Sequence, residues 1–286
     1  MVTQASQLEP LGLAQSELVA AAPSPWSSFL RSLLKRRLAL VGLCYIIIFY
    51  LVGIFAPLIA PYSYEGNSKN FTRQSALQAP SSRHWFGTDR IGRDQFSRAV
   101  YAARTTFEIT VVTAITAGLF IGPALGLLAG YRRGMVDALI NRLGEVLSSI
   151  PALLLLILLS ATLRPGFDKW VRHAYGWPLI GSSLRGGVGD ITFLFLVLAA
   201  TGWVSDERLI RSQVLHVKSS DYVLAAESMG ASLWRILTRH VLANVRHLIV
   251  LGVTTSLGAV ALSEIALSFL GLGVREPIPS FGTMIY

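Results

Sequence analysis

Long stretches without a charged side chain recur along this sequence, and no other feature of it restricts the fold as tightly. Leu38 to Ser63 is the first, Ile109 to Tyr131 the second, Val146 to Leu163 the third and Ile191 to Ser205 the fourth. A fifth runs from Leu248 to about Val274 and holds one charge, Glu264. A helix rises about 1.5 Å per residue, and about 20 apolar residues cross the roughly 30 Å of bilayer hydrocarbon. Leu38 to about Ala60 meets that length, with Pro57 and Pro61 near its far end, where lost hydrogen bonds cost least. The fourth run is short and spans only if its helix starts before Asp190 or continues past Asp206. The expectation is an all-α, polytopic transmembrane bundle of about five spans.

Composition removes the competing classes. Of the 286 residues, 52% are hydrophobic and 14% charged, against about 25% charged in an ordinary soluble domain. That apolar content excludes a disordered chain. Cys44 is the single cysteine, so there is no internal disulfide framework. The net charge of +9 would suggest nucleic acid in a soluble protein. Here no aromatic and basic residues interleave on a polar scaffold, so nucleic acid is not an expected partner. The basic excess reads as loops facing anionic headgroups of a lipid bilayer.

Residues 1–25 are rich in Ala, Ser, Gln and Pro, with Glu9 and Glu17 and no basic residue. They lack the positive n-region and apolar h-region of a secretory signal and read as a disordered cytoplasmic tail. In 26–37, Trp26, Phe29, Leu30, Leu33 and Leu34 fall at helical spacing with Arg31 and Lys35 on another face. That is the pattern of a helix lying in the interface; a simple basic flank to the first span is the other reading. Arg31, Lys35, Arg36 and Arg37 precede the first span, and the next basic residue is Lys69. The positive-inside rule then sets the N-terminus in the cytoplasm. Residues 38–286 form the transmembrane domain. In its second run Gly118, Gly122, Gly126 and Gly130 recur every fourth residue, a strip along which another helix can approach closely.

A polar segment, 206–247, separates the last two runs. Tyr222, Ala225, Ala226 and Met229 fall at i, i+3, i+4 and i+7, one helical face. Gly230 is a natural helix stop, and Leu233, Ile236, Leu237 and His240 make a second stripe. Two short amphipathic helices bent at a glycine are expected. Paired alanines let a backbone sit close to a partner's groove, and Glu227 beside them offers one directional charge. The alternative is a structural loop packed under the protein's own helices. Elsewhere, Glu264 lies inside an apolar run, where an unpaired carboxylate is expensive; it lines a path or makes a helix contact. Residues 87–104 read as a turn and an interfacial helix, with Phe96, Val100, Ala103 and Phe107 on one face and Asp94 pairing with Arg98 at i, i+4.

No G-x-x-x-x-G-K-[ST], G-x-S-x-G or H-E-x-x-H occurs, and the five histidines lack zinc-ligand spacing. No catalytic or metal site is expected, and an enzyme reading has no support.

The segment Tyr222-Val223, Ala225-Ala226-Glu227, Gly230, Arg235-Ile236, Arg239-His240-Val241-Leu242 and Asn244 resembles the cytoplasmic coupling loop of binding-protein-dependent ABC importer permeases. It departs from that pattern in the order of its Ala-Ala-Glu triad and in Ala243, where a proline is usual. The run His84-Trp85-Phe86-Gly87-Thr88-Asp89, Gly92-Arg93-Asp94, Ser97-Arg98 and Ala103-Arg104 resembles the signature after the first helix in the dipeptide, oligopeptide and nickel subfamily, second permease type. Gly126 to Tyr131, Ile150-Pro151, Trp203, Arg208, Arg211, and Glu264 to Val274 extend the likeness.

The resemblance implies a type I ABC importer permease fold in the inner (plasma) membrane and a peptide cargo, with nickel or another small solute as the rival. A secondary transporter or channel is a further alternative. It implies as partners a second homologous permease, two ATPase subunits that bind ATP and Mg, and an external substrate-binding protein. Tyr222, Ala225, Ala226, Glu227, Gly230, Ile236 and His240 would couple to the ATPase. Gly87, Asp89, Gly92, Arg93 and Asp94 would form the periplasmic signature. Family members carry a sixth helix beyond the position of Tyr286, so five spans with the last helix missing are implied. Residues 164–190 are expected as a long external connection, either touching the binding protein or neutral.

Overall fold

The computed structural model describes residues 34–64, 76–176 and 187–285. The expected tail 1–25 and most of the expected interfacial helix 26–37 lie outside the described residues. The chain divides into two units, one ending at Phe49 and one starting at Tyr50. Helix α1, Arg37–Ile54, begins in the first and ends in the second. The expected span to Ala60 stops short, because Pro57 has no N–H to give the Gly53 carbonyl and its ring crowds that carbonyl. Phe55 leaves the helical region (ψ 13°), and a separate turn, α2 (Ala56–Ile59), follows.

In the second unit α3 runs unbroken over Gln95–Arg132, with a π-helical stretch at Ala114–Ile121. Helix α4 (Met135–Ser148) and α5 (Ala152–Ala174) meet at a 93° bend. The third apolar run therefore does not make one straight helix: Pro151 cannot continue α4 and instead opens α5 as its N-cap. Helix α6 covers Gly189–Lys218, α7 Asp221–Ser228, α8 Leu233–Phe269 and α9 Phe281–Ile285.

Three described helices, α1, α3 and α8, are long and apolar enough to cross a membrane, or four spans if bent α4–α5 counts as one. Helix α6 is outside that group, yet it starts before Asp190 and runs past Asp206, as the short fourth run requires. The five runs of the sequence are thus helical, with three or four passing on length and composition. Apolar side chains such as Phe120, Val146, Leu154, Val250 and Leu262 face outward, the inversion expected where the surroundings are hydrocarbon or another subunit.

The interior has two main clusters. Ile109, Leu156, Phe193, Val197, Val260, Leu267 and Val274 fill one end, between α3, α5, α6 and α8. Ile210, Val214, Val223, Ile236, Val241 and Val245 fill the other, where α7 packs. The glycine strip is what brings α3 against α6. A Cβ on Gly126 would lie 2.7 Å from the Glu207 carbonyl oxygen, and one on Gly130 would lie 2.7 Å from the Val214 Cβ. No side chain fits there, so the four-residue repeat is a helix contact.

Candidate functional site

The polar segment 206–247 is narrower than its composition suggests. Residues 206–218 are the C-terminal part of α6, and α8 begins at Leu233 and runs to Phe269 without interruption. Only 219–232 stand apart, as α7 and a glycine turn. The expected second short helix is therefore the first turns of a long one: Ala243, lacking a proline ring, keeps its N–H and leaves the helix unbroken. Gly230 ends α7 as expected, at φ +78°, with Ala231 N–H donating to the Ala226 carbonyl at 3.0 Å.

The expected docking face is split. Ala226 and Val223 turn inward and are buried, while Tyr222, Leu224 and Ala225 stay exposed. Ala226 packs inward, 4% exposed. Ile236 is buried too, among Val223 and Val241. Met229 at 81% and Trp234 at 75% exposure flank the Gly230 turn and form its apolar tip. Neither stands among the expected coupling residues, although both are large apolar side chains beside a helix stop.

Two hydrogen bonds hold this arm, and two further contacts brace the helices beside it. The Tyr131 hydroxyl, at the end of α3, donates to Glu227. Lys218 Nζ donates to the Tyr131 carbonyl at 2.8 Å and sits 4.5 Å over its ring. Asn244 on α8 donates to the Tyr222 hydroxyl at 3.0 Å, and the Tyr222 and His240 rings lie 6.3 Å apart. Arg211 on α6 donates to Asp137 on α4 at 2.7 Å.

At the opposite end of the bundle stands the Gly87–Asp94 turn, with Gly87 and Gly92 at φ +72° and +87°. The Asp94–Arg98 pair expected at i, i+4 does not form. Asp94 is the N-cap of α3: it accepts from Ser97 N–H at 2.7 Å and meets His84 Nδ1 at 2.9 Å. Nor is this a separate interfacial helix, since Gln95 opens α3 itself. Arg98 instead donates to Asp89 at 2.9 Å and to Glu276 at 2.8 Å. Arg93 donates to Asp89 at 2.6 Å and also to Glu276. Next in the chain, Arg275 donates to Asp168 at 3.1 Å and Asp190 at 3.0 Å. Arg164 bonds Asp168 at 3.2 Å, Asp190, and the Gly273 carbonyl at 3.0 Å. Consecutive residues 275 and 276 thus plug into two ionic clusters and bind the end of α8 to α3, α5 and α6. The expected external connection 164–190 is in large part helix: 164–174 extend α5 and 189–190 open α6, while Trp177 lies outside the described residues.

Glu264 is 0% exposed and accepts from Thr106 on α3 at 3.0 Å and from Ser268 at 2.9 Å. Of the two readings of this residue, the geometry is that of a helix contact. Two acidic residues that the sequence reading passed over sit in mid-bundle on α6. Glu207 is 0% exposed, and neither carboxylate oxygen has a hydrogen-bond partner among the described residues. Asp206, 8% exposed, lies against Gly252 and lines a cavity of about 590 Å³ with Gly118, Thr201, Ser205 and Thr255. Among the described residues no cluster of His, Cys, Asp or Glu could hold a metal ion.

The bundle carries an exposed, tethered arm at one end and a cavity within. Comparison with known proteins assigns its family. The family described as binding-protein-dependent transport system inner membrane component matches residues 122–285, and the N-terminal TM domain of oligopeptide transport permease C matches 24–80. The dipeptide transport system permease protein DppC of Alkalihalophilus pseudofirmus is 36% identical over 265 residues, 92% of this chain and 77% of the relative. The oligopeptide transport system permease protein OppC of Bacillus subtilis is 33% identical over 261 residues, 91% of this chain and 76% of the relative. The glutathione transport system permease protein GsiD of Pectobacterium atrosepticum is 31% identical over 262 residues, 92% and 78% of the two chains. The chain therefore belongs to the inner membrane components of binding-protein-dependent transport systems: it is a multi-pass ABC importer permease of the type I fold, a membrane subunit and not an enzyme.

Proposed function

We propose that this permease carries di- or oligopeptides inward. It would share the pathway with a second homologous permease, receive cargo from an external binding protein and be driven by two ATPase subunits that hold ATP and Mg. The observation that supports a peptide cargo is that relatives over nine-tenths of the chain are named for dipeptide, oligopeptide and glutathione transport. The basic run before α1 supports a cytoplasmic N-terminus. With that orientation the arm 219–232 faces the cytoplasm and the Gly87–Asp94 turn faces out.

The arm is where the ATPase docks in this reading. Tyr222, Ala225 and Glu227, with Met229 and Trp234, present the contact, while Ala226, Ile236 and the Gly230 turn hold its shape. Displacement of α7 reaches α3 through Tyr131, α8 through Asn244 and α6 through the short turn at Ser219–Ser220. Those three helices line the cavity, so one push changes its walls together. The ATPase must favour one bundle state by its differential affinity; moving a population from 1:99 to 99:1 takes about 5.5 kcal/mol.

The test is uptake of a labelled dipeptide by proteoliposomes holding the complete transporter. ATP-dependent accumulation is expected, and its absence overturns the peptide reading. Glu227→Trp should sever ATP hydrolysis from uptake; unchanged ATPase docking and uptake in that variant would refute the arm as the docking element.

A further inference from the structure

The cavity of about 590 Å³ lies between α3, the α4–α5 bend, α6 and α8. Its chemistry is one-sided. Asp206 brings a carboxylate that is 8% exposed, with no side-chain or backbone donor bonded to it among the described residues. No Lys, Arg or His is among the residues lining it. The other polar side chains are hydroxyls. Those of Thr201, Thr255 and Ser263 spend their protons on carbonyls of their own helices, at 3.4, 2.9 and 2.9 Å. What such hydroxyls turn to the cavity is oxygen lone pairs. Thr113 Oγ1, on α3, is buried with no partner among the described residues. An uncompensated carboxylate in a water-poor place is costly unless something donates to it.

We propose that Asp206 is a binding residue for the cargo: it receives the α-ammonium group of a peptide in transit. An ammonium supplies three N–H donors and one positive charge, which is what a lone carboxylate with no basic side chain in the lining lacks. A carboxylate end would meet the negative charge of Asp206 with no basic side chain in the lining to offset it, so the amino end is the one recognised. The site also suits a conveyor. It holds one end of the ligand by one charge-assisted bond and leaves the rest of the peptide to mostly apolar walls such as Leu155, Leu156 and Val260, so side-chain identity is not read. The inference rests on the peptide reading for the ligand and goes beyond it in naming the group and the residue that meets it.

The probes are alanyl-alanine and its N-acetyl derivative, which keeps the shape and loses the charge. Saturation-transfer NMR is recorded on the membrane complex of this chain with its permease and ATPase partners, in nanodiscs, with wild type and with the isosteric Asp206→Asn. Wild type should bind alanyl-alanine about tenfold more tightly than the acetylated peptide, the worth of one hydrogen bond to a charged group, and Asp206→Asn should erase that preference. Asp206→Glu should retain it. Equal binding of the two peptides by wild type, or a preference that survives Asp206→Asn, overturns the inference. A wild-type transporter that imports no dipeptide in proteoliposomes sinks the peptide reading instead, so the two failures are told apart.

Discussion

The Tyr131 hydroxyl donates to the Glu227 carboxylate, joining the last turn of the long helix α3 to the exposed arm α7 across 96 residues of sequence. It is a direct tie between the arm and a helix that lines the cavity. Glu227 thus has a partner within its own chain, which a reading of it as a free docking charge did not anticipate.

Tyr131→Phe removes that bond and little else. Because Glu227 is exposed, the loss is discounted to about 1 kcal/mol, or roughly a fivefold rise in local opening of the arm. Hydrogen exchange of residues 221–228 should quicken by that factor while α3 and α6 keep their protection. Uptake should fall relative to ATP hydrolysis, because the push on α7 no longer reaches α3 directly. Unchanged exchange in the arm would show that burial of Val223 and Ala226 alone holds it.

The glycine repeat was legible in the sequence because one period both places the residues and explains them: four residues is about one helical turn, and only a glycine row admits a backbone. Gly230 was legible for a similar reason. The Asp94–Arg98 pair misled because the i, i+4 rule belongs to helix interiors, whereas Asp94 stands at the N-cap and folds back on Ser97 N–H. Asp206 and Glu207 were passed over as the edge of an apolar run; their meaning depends on Gly252 and Gly126, far away in sequence. The ionic clusters were hidden likewise, since Glu276 and Arg93 lie 183 residues apart.

Gly126→Ala tests the helix contact. Its new Cβ would lie 2.7 Å from the Glu207 carbonyl and 2.9 Å from Ile210 Cβ, so α3 and α6 must separate, at a cost of about 1–3 kcal/mol. Gly258→Ala in α8 is the control: no atom lies within 4 Å of its added methyl, and helix propensity should yield about 0.5–1 kcal/mol of stability. Thermal unfolding of the purified protein should move down for the first and not down for the second.

The ionic cluster at the opposite end should respond to acid. Burial works to raise the Asp89 and Glu276 pKa values. For Asp89 the N–H groups of Arg93 and Ile91 and the Arg93 guanidinium outweigh it, and for Glu276 the guanidiniums of Arg93 and Arg98 do. Both carboxyls therefore sit below their ordinary values when folded. A depressed folded pKa contributes stability that is complete above the unfolded value and is lost as pH falls through the folded one. The unfolding temperature should hold from pH 7 to about 5 and drop below about pH 4. Glu276→Gln should lower the plateau and flatten the drop; an unchanged acid limb in that variant would show that other carboxylates control it.

Glu264 separates a helix contact from a path residue. Its two oxygens accept from Thr106 and Ser268 inside a bundle that leaves it no exposed surface. Glu264→Gln keeps the shape and one acceptor, and its amide can donate to a hydroxyl oxygen; it should cost about 1 kcal/mol and leave uptake within about twofold of wild type. Glu264→Ala leaves both hydroxyls without their acceptor and opens a void, at about 2–4 kcal/mol, so its transport should fall only in step with the amount of folded protein. A carboxylate that touched the passing solute would behave differently: Glu264→Gln would abolish uptake in a protein whose unfolding temperature had barely moved. Measuring uptake per folded transporter for both variants distinguishes the two, and the bonds to Thr106 and Ser268 place the expectation with the first.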